Sequence, residues 1–328
     1  MEHNFKIGIF GCGFTTFELT RRLLASGIKI TDCVTINEAE AKKQRASGFV
    51  DLLPRMSEMD INVHVMNSYS LKDGQDQKRV SALQLDLAFC VGWQRLLPSW
   101  CLDSVRLGVF GMHGSFKPLP HGRGRSPLNW SLLLGKRIFY THLFRYEEGV
   151  DSGPVLGVQT FDINEWDTAY TLHLKNLVSM SQLCTKHFEQ IIDGTASLQS
   201  QSEDGISYFP KRSDEDGRIF WDDSSEEIHR LIRAVTFPFP GSWTYLDYQI
   251  GKKIRIWEAW PFDSRIEWVG SLPGEVLEVF EDGTFVVKTG DGTLFVKKYD
   301  GAEITFEDVG LVFDPGPEEK KIYENLPE

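Results

Sequence analysis

Apolar positions change their spacing partway along the chain, and the change divides it in two. In the first part, short unbroken apolar runs alternate with amphipathic stretches. Lys6 to Phe10, Ile28 to Ile36, Val63 to Met66, Leu85 to Val91 and Gly108 to Met112 read as strands covered on both faces, because their apolar residues do not alternate with polar ones. Between them, Phe17 to Ala25, Asn37 to Ala46, Asp76 to Leu83 and Ser126 to Leu134 carry helical spacing. This alternation predicts a Rossmann-like α/β unit around a parallel sheet, with ligands bound where strands end in loops. Arg137 to Arg145 and Val155 to Phe161 would extend the sheet, and Thr168 to Ile192 has the length and spacing of a closing helix.

A second pattern follows the polar run Gln199 to Gly205. Short strand-like runs are punctuated by Asp282-Gly283 and Asp291-Gly292, which are hairpin turn signals. They predict a small OB-like β-barrel. The expected division is 1–203 for the α/β unit, 204–314 for the β unit and 315–328 for a loosely packed tail.

Charge narrows the partners. The formal net charge of the 328 residues is -12, and from Ile206 onward there are 14 basic against 25 acidic residues. Binding nucleic-acid phosphates needs clustered Lys and Arg, so this half is unsuited to tRNA, and nucleic acid is not an expected partner. Cys12, Cys33, Cys90, Cys101 and Cys184 have neither metal-ligand spacing nor disulfide density, which points to reduced thiols, a cytoplasmic location and no metal. Met1 to Lys6 lacks the start of a signal peptide, and no apolar run approaches the roughly 18 residues of a membrane span. Neither export nor a membrane is expected.

Candidate chemistry concentrates between Gly111 and Pro154. Gly111-Met112-His113-Gly114-Ser115 places a histidine at the end of a buried strand, where it can accept a proton from an attacking amine or stabilise an oxyanion. Taken alone, such a histidine is more often a satisfied structural group. Asp151 sits between Gly149 and Gly153, which permit a tight turn, and an aspartate in such a turn is most often a cap or turn residue. Gly122-Arg123-Gly124-Arg125 precedes a helix starting near Ser126-Pro127, a setting that favours anions, although an isolated Gly-Arg-Gly-Arg is usually a solvated turn. Gly11-Cys12-Gly13-Phe14-Thr15-Thr16 is only a partial dinucleotide fingerprint. Thr16 replaces its third glycine and no acid is well placed after the second strand, so an NAD enzyme is not expected.

Together these segments resemble the folate-dependent formyltransferases, whose signature is Asn-x-His-x-Ser, Leu-Leu-Pro, an Arg-Gly loop and Asp-Ser/Thr-Gly. Arg233-Ala234 followed by Pro238-Phe239-Pro240-Gly241 is similar to the carboxy-terminal domain of methionyl-tRNA and sugar formyltransferases, so the resemblance runs from residue 5 to 312. It implies formyl-tetrahydrofolate as the one-carbon donor, with His113 catalytic and Asp151 orienting and charging it. Asp86 to Pro98 resembles the pterin loop, which implies Val91, Gly92, Trp93 and Leu96 as donor-binding residues; Gly92-Trp93 looks like sugar-modifying members. Ser115, Arg123, Arg125 and Asn129 fall on the acceptor side. The acidic second half favours a small amino sugar, nucleotide-linked, over the charged tRNA of the methionyl-tRNA enzymes. A homodimer stays open.

One position departs from the pattern. Gly111 stands where the family has an asparagine that helps hold and polarise the formyl carbonyl. Three readings follow. A backbone N–H, Ser115, Asn129 or water supplies the donor instead; or the one-carbon chemistry differs, as in the hydrogenase-maturation proteins that also lack this asparagine; or the chain binds without turnover.

Overall fold

Strand β1 (Ile7–Phe10) leads into α1 (Phe14–Ala25), β2 (Asp32–Ile36), α2 (Glu38–Gln44), α3 (Leu53–Ser57), β3 (Asn62–Met66), α4 (Gly74–Leu83), β4 (Leu87–Cys90), α5 (Ser99–Asp103) and β5 (Val109–Ser115). There follow β6 (Arg123–Gly124), α6 (Pro127–Leu133), β7 (Ile138–Arg145), β8 (Val155–Asp162) and α7 (Ala169–Ile192). The remainder comprises β9 (Tyr208–Phe209), α8 (Ser225–Val235), β10 (Ser242–Tyr245), β11 (Lys253–Pro261), β12 (Val276–Val279), β13 (Phe285–Lys288) and β14 (Thr293–Asp300). This computed structural model describes residues 5–246, 251–314 and 326–327.

The main sheet has seven strands in the order β3-β2-β1-β4-β5-β7-β8. Every residue of β1, β2 and β4 is buried, which is why their sequences do not alternate. Leu19 and Leu23 of α1 with Leu177 and Leu183 of α7 belong to one core cluster, and Ala41 of α2, Val80 of α4 and Cys101 of α5 to a second. Strands β3 to β5 are parallel, but β7 runs antiparallel to both β5 and β8. The sheet expected to be parallel is therefore mixed, because the short connection from β7 to β8 can join only antiparallel neighbours. Strand order reverses at β1 and β4, the position where open α/β sheets leave a crevice.

Side chains at helix ends shift several expected boundaries. Asp73 Oδ1 accepts from the N–H groups of Gln75 and Asp76 at 2.9 and 3.1 Å, so α4 starts at Gly74, before the expected Asp76. The expected strand from Ile28 shrinks to Asp32–Ile36, since Ile28 N–H donates to Leu23 O at 2.9 Å and belongs to the end of α1. Strand β5 continues to Ser115, so His113 lies inside the strand, opposite His142 of β7, and not at its end.

The second half forms the antiparallel β unit expected of it, a five-stranded sheet in the order β10-β11-β14-β13-β12 packed with α8. Among the described residues no pairing joins β10 to β12. Its core gathers Trp221, Ile228, Ile232, Ile254, Phe285 and Val296. Buried polar contacts join the halves: Asn129 Nδ2 donates to Ala234 O at 2.6 Å, and Arg233 Nη1 to Asp167 O at 2.7 Å. Most of the expected tail, 315–325 and 328, lies outside the described residues, but Leu326 packs against Phe116, Trp130 and Phe209.

Candidate active site

Two chain segments meet at His113. Its imidazole is buried, with Nε2 2.7 Å from Gly122 O and Nδ1 3.4 Å from Asp151 Oδ2. The first contact is a hydrogen bond; the second is an ion-pair distance. Both ring nitrogens therefore face oxygens. A proton on either nitrogen thus has an acceptor facing it.

Backbone conformation aims Asp151. The residue is left-handed, with φ +50°, a region that aspartate tolerates better than most residues. Its Oδ2 accepts the Gly124 N–H at 2.9 Å. Gly153 is obligatory for a different reason: a Cβ there would lie 1.8 Å from Arg145 O, so the turn closes directly onto the end of β7. His142 secures the other side. Leu119 N–H donates to His142 Nε2 at 3.1 Å, which leaves Nδ1–H to donate to His113 O at 3.3 Å. Burial pushes the His142 imidazole down to about 4, so it stays neutral and structural near neutral pH.

The arginine loop is tied down rather than open. Strand β6 pairs with β9 in parallel, and a Cβ on Gly124, at φ +100°, would lie 2.7 Å from Phe209 O. Arg123 is buried, its Nε and Nη2 donating to Gln201 Oε1 at 3.2 and 2.7 Å. Gln201 Nε2 in turn donates to the carbonyls of Asp151 and Gly153 at 2.8 and 2.7 Å. Arg123 thus reaches His113 through Gln201 and the Asp151 turn. Gln201 was missed because it lies within the polar run that looks like a linker. The Asn129 amide is engaged by Ala234 between the two halves. Ser115 is fully buried beneath Gly122 and its Oγ has no hydrogen-bond partner among the described residues. Arg125 remains at the surface, donating to Gln94 O at 3.3 Å.

At the crevice between β1 and β4, Thr16 occupies the space that a third glycine would leave open. Its Oγ1 donates to Val91 O at 2.7 Å, and a Cβ on Gly11 would lie 2.1 Å from that Oγ1. Gly92 needs its glycine, with φ +74° and Thr16 Oγ1 2.8 Å from where a Cβ would stand. Trp93 is drawn inward. It is 7% exposed and packs edge-on against Tyr69 and Phe10, with ring centroids 4.9 and 6.3 Å away. Trp93, expected among the donor-binding residues, thus packs beneath the loop. Leu96 is 60% exposed, and the peptide N–H groups of Arg95 and Leu96 have no partner among the described residues. An exposed apolar side chain beside unpaired peptide donors fits a flat heterocycle with a hydrogen-bonding edge.

Tyr146 fills the place that Gly111 vacates. A Cβ on Gly111 would lie 2.0, 2.3 and 2.5 Å from its Cε1, Cζ and Oη. A separate cleft of about 440 Å³, lined by Arg106, Arg145, Tyr146 and Glu148 among others, holds neither His113 nor Asp151. Among the described residues, no three His, Cys, Asp or Glu side chains gather as a metal site, and no helix is long and apolar enough to cross a membrane.

Solved structures share this architecture. HypX from Aquifex aeolicus, solved with tetrahydrofolic acid, matches at TM-score 0.62 and 19% identity over 90% of this chain and 44% of its own. The chain therefore spans less than half the length of that protein. An N-formyltransferase from Helicobacter canadensis, solved with folinic acid and dTDP-3-aminofucose, matches at TM-score 0.61 and 20% identity over 89% of this chain and 99% of its own. WlaRD, a sugar 3N-formyl transferase, matches at TM-score 0.61 and 19% identity over 90% and 98%. These likenesses are of fold. Sequence-family models for formyl transferase and for the formyl transferase C-terminal domain match residues 23–182 and 211–308, and the chain accordingly belongs to the formyl transferase family of one-carbon transferases.

Proposed function

We propose that the chain transfers a formyl group from formyl-tetrahydrofolate to the primary amine of a nucleotide-linked amino sugar. The observation that carries the reading is the His113–Asp151 pair, 3.4 Å apart, on the same unit as the β1–β4 crevice. Formyl-tetrahydrofolate supplies an activated one-carbon group when bound. Arg95 and Leu96 would hold its pterin edge through their peptide donors, with the Leu96 side chain against the ring. To take the proton released by the attacking amine, His113 carries its resting proton on Nδ1, towards Asp151, and the amine takes the place of Gly122 O at Nε2. Asp151 balances the resulting positive charge, and Gln201 with Arg123 keeps Asp151 in its strained turn. Such a positioned base contributes about 10²–10⁴ in rate.

The acceptor assignment rests on charge and on kinship of fold. The excess of carboxylates after Ile206 opposes a phosphate backbone. The Helicobacter canadensis and WlaRD structures were solved with dTDP-3-aminofucose and with dTDP, respectively. The test is a panel of amino-sugar nucleotides incubated with formyl-tetrahydrofolate and read by mass spectrometry. The expected result is a gain of one formyl group on at least one member. Failure of the whole panel, together with formylation of charged initiator tRNA and a salt-sensitive, sub-micromolar complex with it, would overturn the assignment.

A further inference from the structure

Gly111 and His113 are two residues apart on β5, so their Cβ directions lie on the same face of the sheet. The space that a side chain at 111 would fill holds the tip of the Tyr146 phenol, with Oη 2.5 Å from the Cβ position. Resting on the formyl-transfer reading above, we propose that the Tyr146 hydroxyl donates the hydrogen bond to the formyl carbonyl oxygen that a glycine at 111 cannot provide.

Three observations support the assignment. First, the ring is held in place: Tyr146 N–H donates to Val109 O at 2.7 Å, and the phenol packs at 5.1 Å against Phe144, the residue paired with Gly111 across the sheet. Second, the hydroxyl shares a neighbourhood with the catalytic pair. Burial, the Cys90 thiol and the Asp151 carboxylate all push its ionisation well above the ordinary tyrosine value, so it keeps its proton and remains a donor. Third, the Cys90 thiol beside the hydroxyl is at most a weak acceptor, which a carbonyl oxygen can outcompete. A phenol that stays neutral and points along the face carrying His113 suits charge developing on a carbonyl oxygen.

The test is Tyr146→Phe in the full chain, which removes the hydroxyl and keeps the ring. Isotope-edited infrared spectra of bound formyl-tetrahydrofolate read the formyl carbonyl stretch directly. A second assay follows donor breakdown without an acceptor, in which water oxygen bonds the formyl carbon, the folate N–C bond breaks, the folate nitrogen takes a proton and formate leaves. The wild-type carbonyl band is expected below its position in free solution. Tyr146→Phe should abolish that shift and slow breakdown by about 10²–10³, the effect of losing one oxyanion donor. His113→Asn should slow breakdown yet keep the shift. Unfolding curves check that the phenylalanine protein stays native. A variant with the wild-type band and rate would refute the role of Tyr146 and leave formyl transfer standing. Absence of any formyl-tetrahydrofolate binding by the wild type would refute both.

Discussion

Replacing Gly111 by asparagine puts a side chain at a position the structure shows to be occupied. The new Cβ would begin 2.0 Å from Tyr146 Cε1 and 2.5 Å from its Oη, whereas carbon atoms in contact sit about 3.5–4.0 Å apart. The phenol must retreat by roughly 1 Å or more, before any space is found for the amide. Retreat is obstructed, because the ring leans on Phe144, which is 1% exposed, and the Cys90 thiol beside its hydroxyl is 2% exposed. Forcing extra atoms into such a site costs about 1–3 kcal/mol. We expect urea unfolding to show that loss for Gly111→Asn, and donor breakdown to be unchanged or slower. A variant as stable as wild type and faster by about a hundredfold would refute the reasoning: it would mean that the position is vacant, Tyr146 yields freely, and the site had lost a donor that the asparagine returns.

Three further outcomes follow from the geometry. Asp151→Asn keeps an oxygen for the Gly124 N–H but removes the charge facing His113, so turnover should fall by about 10² or more with little change in melting; a change in melting alone would make Asp151 purely structural. Asn129→Ala leaves Ala234 O buried and unpaired, and should destabilise the chain by about 1–3 kcal/mol in urea; an unchanged midpoint would remove that contact from the link between the halves. His142, His173 and His229 are each pushed by burial down to about 4 from 6.5. Between those values the unfolded chain takes up protons that the folded chain refuses, so stability falls as pH drops through that window, by about 3 kcal/mol for fully buried His142. A urea midpoint that is flat across the window would refute the burial argument.

What the sequence disclosed was largely periodic. The unbroken runs in β1, β2 and β4 and the long spacing of α7 record burial over consecutive residues, so their existence was legible even where Ile28 to Thr31 proved to lie outside β2. Helices α3 and α5, with five residues each, are too short to show a period and went unseen. His113 and Asp151 were singled out only by resemblance to the formyltransferase signature, since taken alone they read as a structural histidine and a turn residue; the β7–β8 connection brings them together. Gln201 was not, since its contact with Arg123 spans 78 positions and nothing local marks it. Trp93 and Asn129 have residue types that suit a ligand equally well as a core or a clamp, and only packing separates those uses.

Gly111 shows where that limit lies. Of the side chains the sequence offers to replace its missing donor, Ser115 lies buried under Gly122 and Asn129 is held by Ala234. The group that fills the vacancy comes from beyond the adjacent strand. In the antiparallel register Gly111 faces Phe144, and Tyr146 N–H bonds Val109 O, so the chain leaving β7 passes over the face from which a side chain at 111 is absent. A glycine inside a strand invites close approach by a neighbour, but the neighbour is set by register, which a single sequence does not display. Gly111 and Tyr146 therefore fit as a pair, because the ring has no room beside a side chain at 111 and the glycine would leave a hole without the ring.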